Sequence, residues 1–132
     1  MLPIARTERN AKAVAEMWGK DLSAKNDWFK IEAKSDDPAD LLIYDVIGWP
    51  FVTADELVRA LAQIDAKTVN VRINSPGGDV SDGTAIYNAL KDHPAKIVTQ
   101  IDGMAASMAS IIALAGDERR MASNAYYMIH NP

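Results

Sequence analysis

A chain of 132 residues, 48% hydrophobic and 24% charged, has the make-up of one soluble globular domain with a buried core. Lacking cysteine, it excludes a disulfide framework, a thiolate nucleophile and cysteine-ligated metal centres, and His93 and His130 are its only imidazoles. A formal charge of −4 argues against binding nucleic-acid phosphates, and the longest uncharged run, the 14 positions from Gly103 to Gly116, is short of the ~20 residues a membrane span needs. The first ten residues carry Arg6, Glu8 and Arg9 with no apolar run, so no secretory signal is expected and the expected location is cytoplasmic.

In chain order, Ala11, Val14, Ala15, Trp18 and Leu22 recur at helical spacing and predict an amphipathic helix over 8–22. Trp28 to Ala33 and Leu41 to Ile47 read as strands, separated by the turn-forming Ser35-Asp36-Asp37-Pro38. Thr53 is placed to cap a helix from Ala54 to about Ala66, with Leu57, Leu61 and Ile64 on one face. A strand from Thr68 to Ile73, a helix from Asp82 to Lys91, a strand from Lys96 to Ile101 and a helix from Ala105 to Ala115 follow. Asp117 to Met121 reads as a connection, and Tyr126 to Ile129 as a last apolar strand. Strands alternating with helices imply right-handed crossovers and an α/β fold with a mostly parallel sheet.

Three segments stand out from this rhythm. In Ser75-Pro76-Gly77-Gly78, proline holds Ser75 extended while two glycines leave backbone N–H groups open to approach. Such donors can cradle an oxyanion or simply turn the chain, and the absence of a following Lys-Ser/Thr makes a nucleotide loop a poor reading. Gly103-Met104-Ala105-Ala106-Ser107-Met108-Ala109-Ser110 brings small residues and two serines to a helix start, which serves either close packing or chemistry. Periodicity does not choose between Ser107 and Ser110. His130 ends the last strand and is a base or a packing residue, whereas His93, between Asp92 and Pro94, suits a helix C-terminus.

Asn74-Ser75-Pro76-Gly77-Gly78, Gly103-Met104-Ala105-Ala106-Ser107-Met108 and Met128-Ile129-His130-Asn131-Pro132 resemble, in order, the signature segments of the Clp-type serine peptidases (ClpP). The likeness runs from about Leu41 to Pro132. It is nearest to the phage and prophage head-maturation branch through Ile73 to Gly83, Ala85 to Leu90 and the His-Asn-Pro ending. It implies a ClpP/crotonase-like spiral of β-β-α units over 27–132, preceded by an amphipathic segment, 1–26, that can be flexible.

The same resemblance implies that Ser107 is the nucleophile, that His130 is its general base, and that the N–H groups of Gly78 and Met108 form the oxyanion hole. Ser110 receives no role, so Ser110→Ala is expected to be nearly silent. Neither metal nor cofactor is called for. The implied partners are peptide and protein substrates, among them phage capsid or scaffold proteins, and copies of the chain in a homo-oligomeric ring, in the host cytoplasm or a procapsid. A crotonase-like acyl-CoA enzyme and a non-catalytic assembly component are the alternatives.

In the family an acidic residue beyond the His-x-Pro segment orients the histidine. Asp79, Asp102 and Asp117 do not occupy that position and read as solvated or turn-forming residues. Without that acid, and with His130 close to Pro132, the site is expected to be only partly assembled and the 132-residue chain poorly active, with His130 too far from Ser107 for a hydrogen bond.

Overall fold

The computed structural model describes residues 31–32 and 38–131; the helix predicted over 8–22 and most of the strand predicted over Trp28–Ala33 lie outside them. Their sheet runs in the order β1 (Ile31–Glu32), β2 (Ala39–Ile43), β3 (Thr68–Ser75), β4 (Lys96–Ala106) and β5 (Glu118–Met121), with β6 (Tyr126–Met128) also paired to β4. Only β1 is antiparallel to its neighbour. Helices α1 (Ala54–Ala62), α2 (Val80–Asp92) and α3 (Met108–Ala113) complete the α/β arrangement.

Period-two burial explains the layering. Leu41 and Ile43 of β2, Val69, Val71 and Ile73 of β3, and Ile97 and Ile101 of β4 lie in one core with Leu57 and Leu61 of α1, Ile86 and Leu90 of α2, and Ile112 of α3. Each such side chain contributes about 1.5–3 kcal/mol on burial. The alternate residues Asp40, Asn70, Arg72, Gln100 and Asp102 are half-buried and polar. There Arg72 grips Asp102 through Nε at 2.9 Å and Nη2 at 2.8 Å, and the Tyr44 hydroxyl donates to the same carboxylate. The three buried polar side chains among the described residues, Ser75, Thr99 and Ser110, all donate to backbone carbonyls, of Asp45, Ala113 and Ser107 respectively.

Helix starts follow their caps. The Thr53 hydroxyl accepts from the Glu56 N–H at 3.4 Å, and the Asp79 carboxylate from the Asp82 N–H at 2.8 Å. That second cap starts α2 at Val80, two residues before the predicted start. Helix α1 stops at Ala62 instead of Ala66, because the Gln63 and Ile64 N–H groups turn to carbonyls three residues back and Ile64 drops into the core.

The largest departure is in the third segment. Ala105 and Ala106 were predicted to open a helix, as alanine favours one; instead β4, predicted to end at Ile101, runs on through them to Ala106 and is 11 residues long. Pairing on both sides wins: Ser75 lies against Ala105 on one side, and Met104 to Ala106 lie against Tyr126 to Met128 on the other. Residues 118–121, read as a connection, form β5 against Val98 to Ile101.

Candidate active site

Three parallel strands end at the same edge of the sheet, and each is followed within three residues by part of the site. Gly77 and Gly78 come after β3, Ser107 directly after β4, and His130 after β6. Parallel pairing therefore gathers residues remote in sequence at the carboxyl ends of the strands, where open α/β sheets place their ligands.

Ser107 occupies the position before α3 with φ 54 and ψ −123, the only non-glycine residue at positive φ among those described. Such a conformation costs about 1–3 kcal/mol and persists only where the surroundings impose it. They do so at both ends of the residue. The Ser107 N–H donates to the Met128 carbonyl at 2.9 Å, and its own carbonyl accepts from the Ser110 N–H at 3.0 Å and from Ser110 Oγ at 2.5 Å. The elbow turns the Ser107 hydroxyl away from its own helix and toward His130, whose Nε2 lies 2.8 Å from Ser107 Oγ. His130 Nδ1 is 2.7 Å from the Asn131 carbonyl. With the proton on Nδ1 donated to that carbonyl, Nε2 is free to accept from the serine.

The expected gap between Ser107 and His130 is therefore absent. The β4–β6 register and the Ser107 N–H bond to Met128 hold the histidine's strand against the serine's. A hydroxyl and an imidazole at this separation can pass a proton, the elementary requirement for a nucleophilic serine.

The glycine loop backs onto the same elbow. Gly77 has φ 93, and a Cβ there would lie 2.6 Å from the Ala106 carbonyl oxygen and 2.8 Å from the Met108 nitrogen, so glycine is required on both counts. Ser75 Oγ accepts the Gly77 N–H at 3.1 Å; the Gly77 carbonyl accepts from the Ile47 N–H at 2.9 Å, and the Ile47 carbonyl from the Asp79 N–H at 2.8 Å. These bonds staple the loop while the Gly78 N–H meets no acceptor among the described residues. Met108 is the first residue of α3, where the helix leaves N–H groups without intrahelical partners.

A cavity of about 210 Å³ beside the pair is lined by Val80, Ser107, Met108, Ser110, Ile111, Ile129 and His130. Its largely apolar wall suits an uncharged side chain. The side chains of Val80, Ile111 and Ile129 were given no role in the sequence, where Val80 precedes a predicted helix, Ile111 lies within one and Ile129 ends an apolar strand; the Asn131 carbonyl left no signal at all.

The remaining candidates are committed elsewhere. Asp79 caps α2, Asp102 is held by Arg72 and Tyr44, and Asp117 Oδ2 accepts the Ile97 N–H at 2.8 Å. His93 is a structural bridge: Nδ1 accepts the Ala95 N–H at 3.1 Å, and Nε2 donates to the Leu61 carbonyl at 3.2 Å, joining the ends of α1 and α2.

Sheet order and site position together define an α/β protein with a serine–histidine pair at the strand ends. The chain belongs to the Clp protease family, which it matches over residues 39–132. ClpP1 from Listeria monocytogenes is 30% identical, with a TM-score of 0.64 over 70% of this chain and 56% of that one. The ClpP protease catalytic domain from Plasmodium falciparum is 34% identical, with a TM-score of 0.63 over 69% and 53% of the two chains. The ATP-dependent Clp protease proteolytic subunit of Ligilactobacillus salivarius (strain UCC118) is 48% identical over 85 residues, which are 60% of this chain and 43% of that relative. The chain thus spans less than half of that relative's length.

Proposed function

We propose that the protein is a serine endopeptidase that cleaves peptide bonds through an acyl-enzyme at Ser107. The observation that carries this reading is the 2.8 Å separation of His130 Nε2 from Ser107 Oγ, on a serine held in a strained elbow. Ser107 Oγ attacks the scissile carbonyl as its proton passes to His130 Nε2; the N–H groups of Gly78 and Met108 take the oxyanion; and His130 returns the proton to the leaving amine. Water, deprotonated by the same imidazole, then releases the acid and restores the hydroxyl. The apolar cavity beside the pair accepts the side chain preceding the cut.

The substrate assigned by this reading is a capsid or scaffold protein processed in phage head maturation, in the host cytoplasm or a procapsid, by a closed homo-oligomeric ring. Its support is the likeness of 73–90 to the phage branch and the symmetry by which such assemblies close. A fluorophosphonate is expected to label Ser107 alone and to fail with Ser107→Ala. Labelling at another residue, or none in the unmodified protein, would sink the reading. Sedimentation that finds only monomer at micromolar concentration would remove the ring.

A further inference from the structure

We infer that Ser110 and Tyr127 are positioning residues for the proposed acyl transfer, a pair of hydroxyls that bolts the strand carrying His130 to the helix start carrying Ser107. The inference rests on the peptidase reading. Ser110 is buried, and its Oγ donates to the Ser107 carbonyl at 2.5 Å, alongside the Ser110 N–H at 3.0 Å. The carbonyl of Ser110 in turn accepts from the Tyr127 hydroxyl at 2.7 Å. Tyr127 lies in β6, opposite Ala105 and next to Met128, whose carbonyl takes the Ser107 N–H at 2.9 Å.

A closed circuit results: Ser107 to Ser110, Ser110 to Tyr127, and along β6 to Met128 and back to Ser107. Neither hydroxyl touches the position where a scissile carbonyl would sit. What they fix is the unfavourable backbone of Ser107 and the distance from its hydroxyl to a histidine three residues after Tyr127. A serine three residues into a helix ordinarily bonds back to its own backbone. Here the carbonyl it holds belongs to the strained residue, and the second hydroxyl has no helical reason to be there. The expectation that Ser110→Ala is silent is therefore revised.

The test compares the unmodified protein with Ser110→Ala, Tyr127→Phe, the double variant and Ser110→Thr. The readouts are kcat and KM on a peptide, the rate of fluorophosphonate labelling at Ser107, and thermal unfolding by circular dichroism. Each single removal is expected to lower kcat and the labelling rate in parallel by about tenfold, the value of one hydrogen bond, with KM within about twofold. Because the two act in series, the double variant should be little worse than either single one, and Ser110→Thr should recover most of the rate. Folded single variants with unchanged kcat and labelling, or a loss confined to KM or to melting temperature, would overturn the inference while leaving the peptidase reading intact. An unmodified protein in which Ser107 is not labelled overturns both.

Discussion

Helices α2 and α3 begin in contrasting ways. Before α2, Asp79 has φ −65 and ψ 128, and its carboxylate caps the Asp82 N–H at 2.8 Å. Before α3, Ser107 has φ 54 and ψ −123 and makes no side-chain cap bond, although serine is among the best capping residues; its hydroxyl goes to His130 instead. One start stabilises its helix. The other forgoes that stabilisation, adopts an unfavourable backbone and leaves a polar group turned outward. A local rule broken at one position while its neighbours obey it marks function more clearly than any residue type does.

The sharpest way to separate the two starts is to remove each side chain. Ser107→Ala is expected to lower peptide turnover by at least ~10⁴-fold and to move the melting temperature by no more than ~2 °C, since no cap bond is lost. Assays paired with thermal melts decide it; retained turnover would show that the elbow serves packing alone.

Gly77→Ala tests the frame behind the elbow. A side chain there meets the Ala106 carbonyl and the Met108 nitrogen in a backbone that alanine resists, and the expected result is a loss of roughly 1–3 kcal/mol of stability together with at least about 100-fold of kcat. Urea midpoints and kinetics on the same preparation check both halves.

Asp79→Ala should do the opposite of Ser107→Ala, costing about 1 kcal/mol of stability with kcat nearly unchanged. Burial first, and then the Asp79 carboxylate, raise the pKa of Asp82 above its ordinary value. The stability tied to protonated Asp82 is thus present below the ordinary carboxylate pKa and lost as pH rises through the raised one. That loss should be smaller in Asp79→Ala, as urea midpoints across acid pH would show. The smallest effect belongs to Thr53→Ala, whose exposed bond is 3.4 Å long; about 0.5 kcal/mol is expected from the same midpoints.

Legibility in the sequence divides along the same line. The alternation of apolar residues in Val69, Val71 and Ile73 and the cap at Thr53 are local signals, and β3 and the start of α1 follow them. The extended backbone up to Ala106 is not local: alanine propensity points to helix at Ala105 and Ala106, and only neighbours on both sides, Ser75 of β3 30 residues before Ala105 and β6 22 residues after, make it strand. Ser107 and His130 were reached through motif resemblance, because nothing in periodicity separates Ser107 from Ser110. That Ser110 and Tyr127 would meet depends on the register of β6, which no spacing along the chain reveals.

The pairing of β6 with β4 sets a tolerance on assembly. In a strand, a slip of one residue moves every following group by about 3.3 Å along its neighbour and turns each side chain to the opposite face. Applied to Tyr126 against Met104, such a slip would break the Ser107 N–H bond to Met128 and carry His130 out of reach of Ser107. No half-slipped arrangement leaves the pair weakly coupled. On the peptidase reading, catalytic competence is then a yes-or-no readout of strand alignment, and a population of misregistered molecules would appear as a lower titre of active sites, each working at full speed.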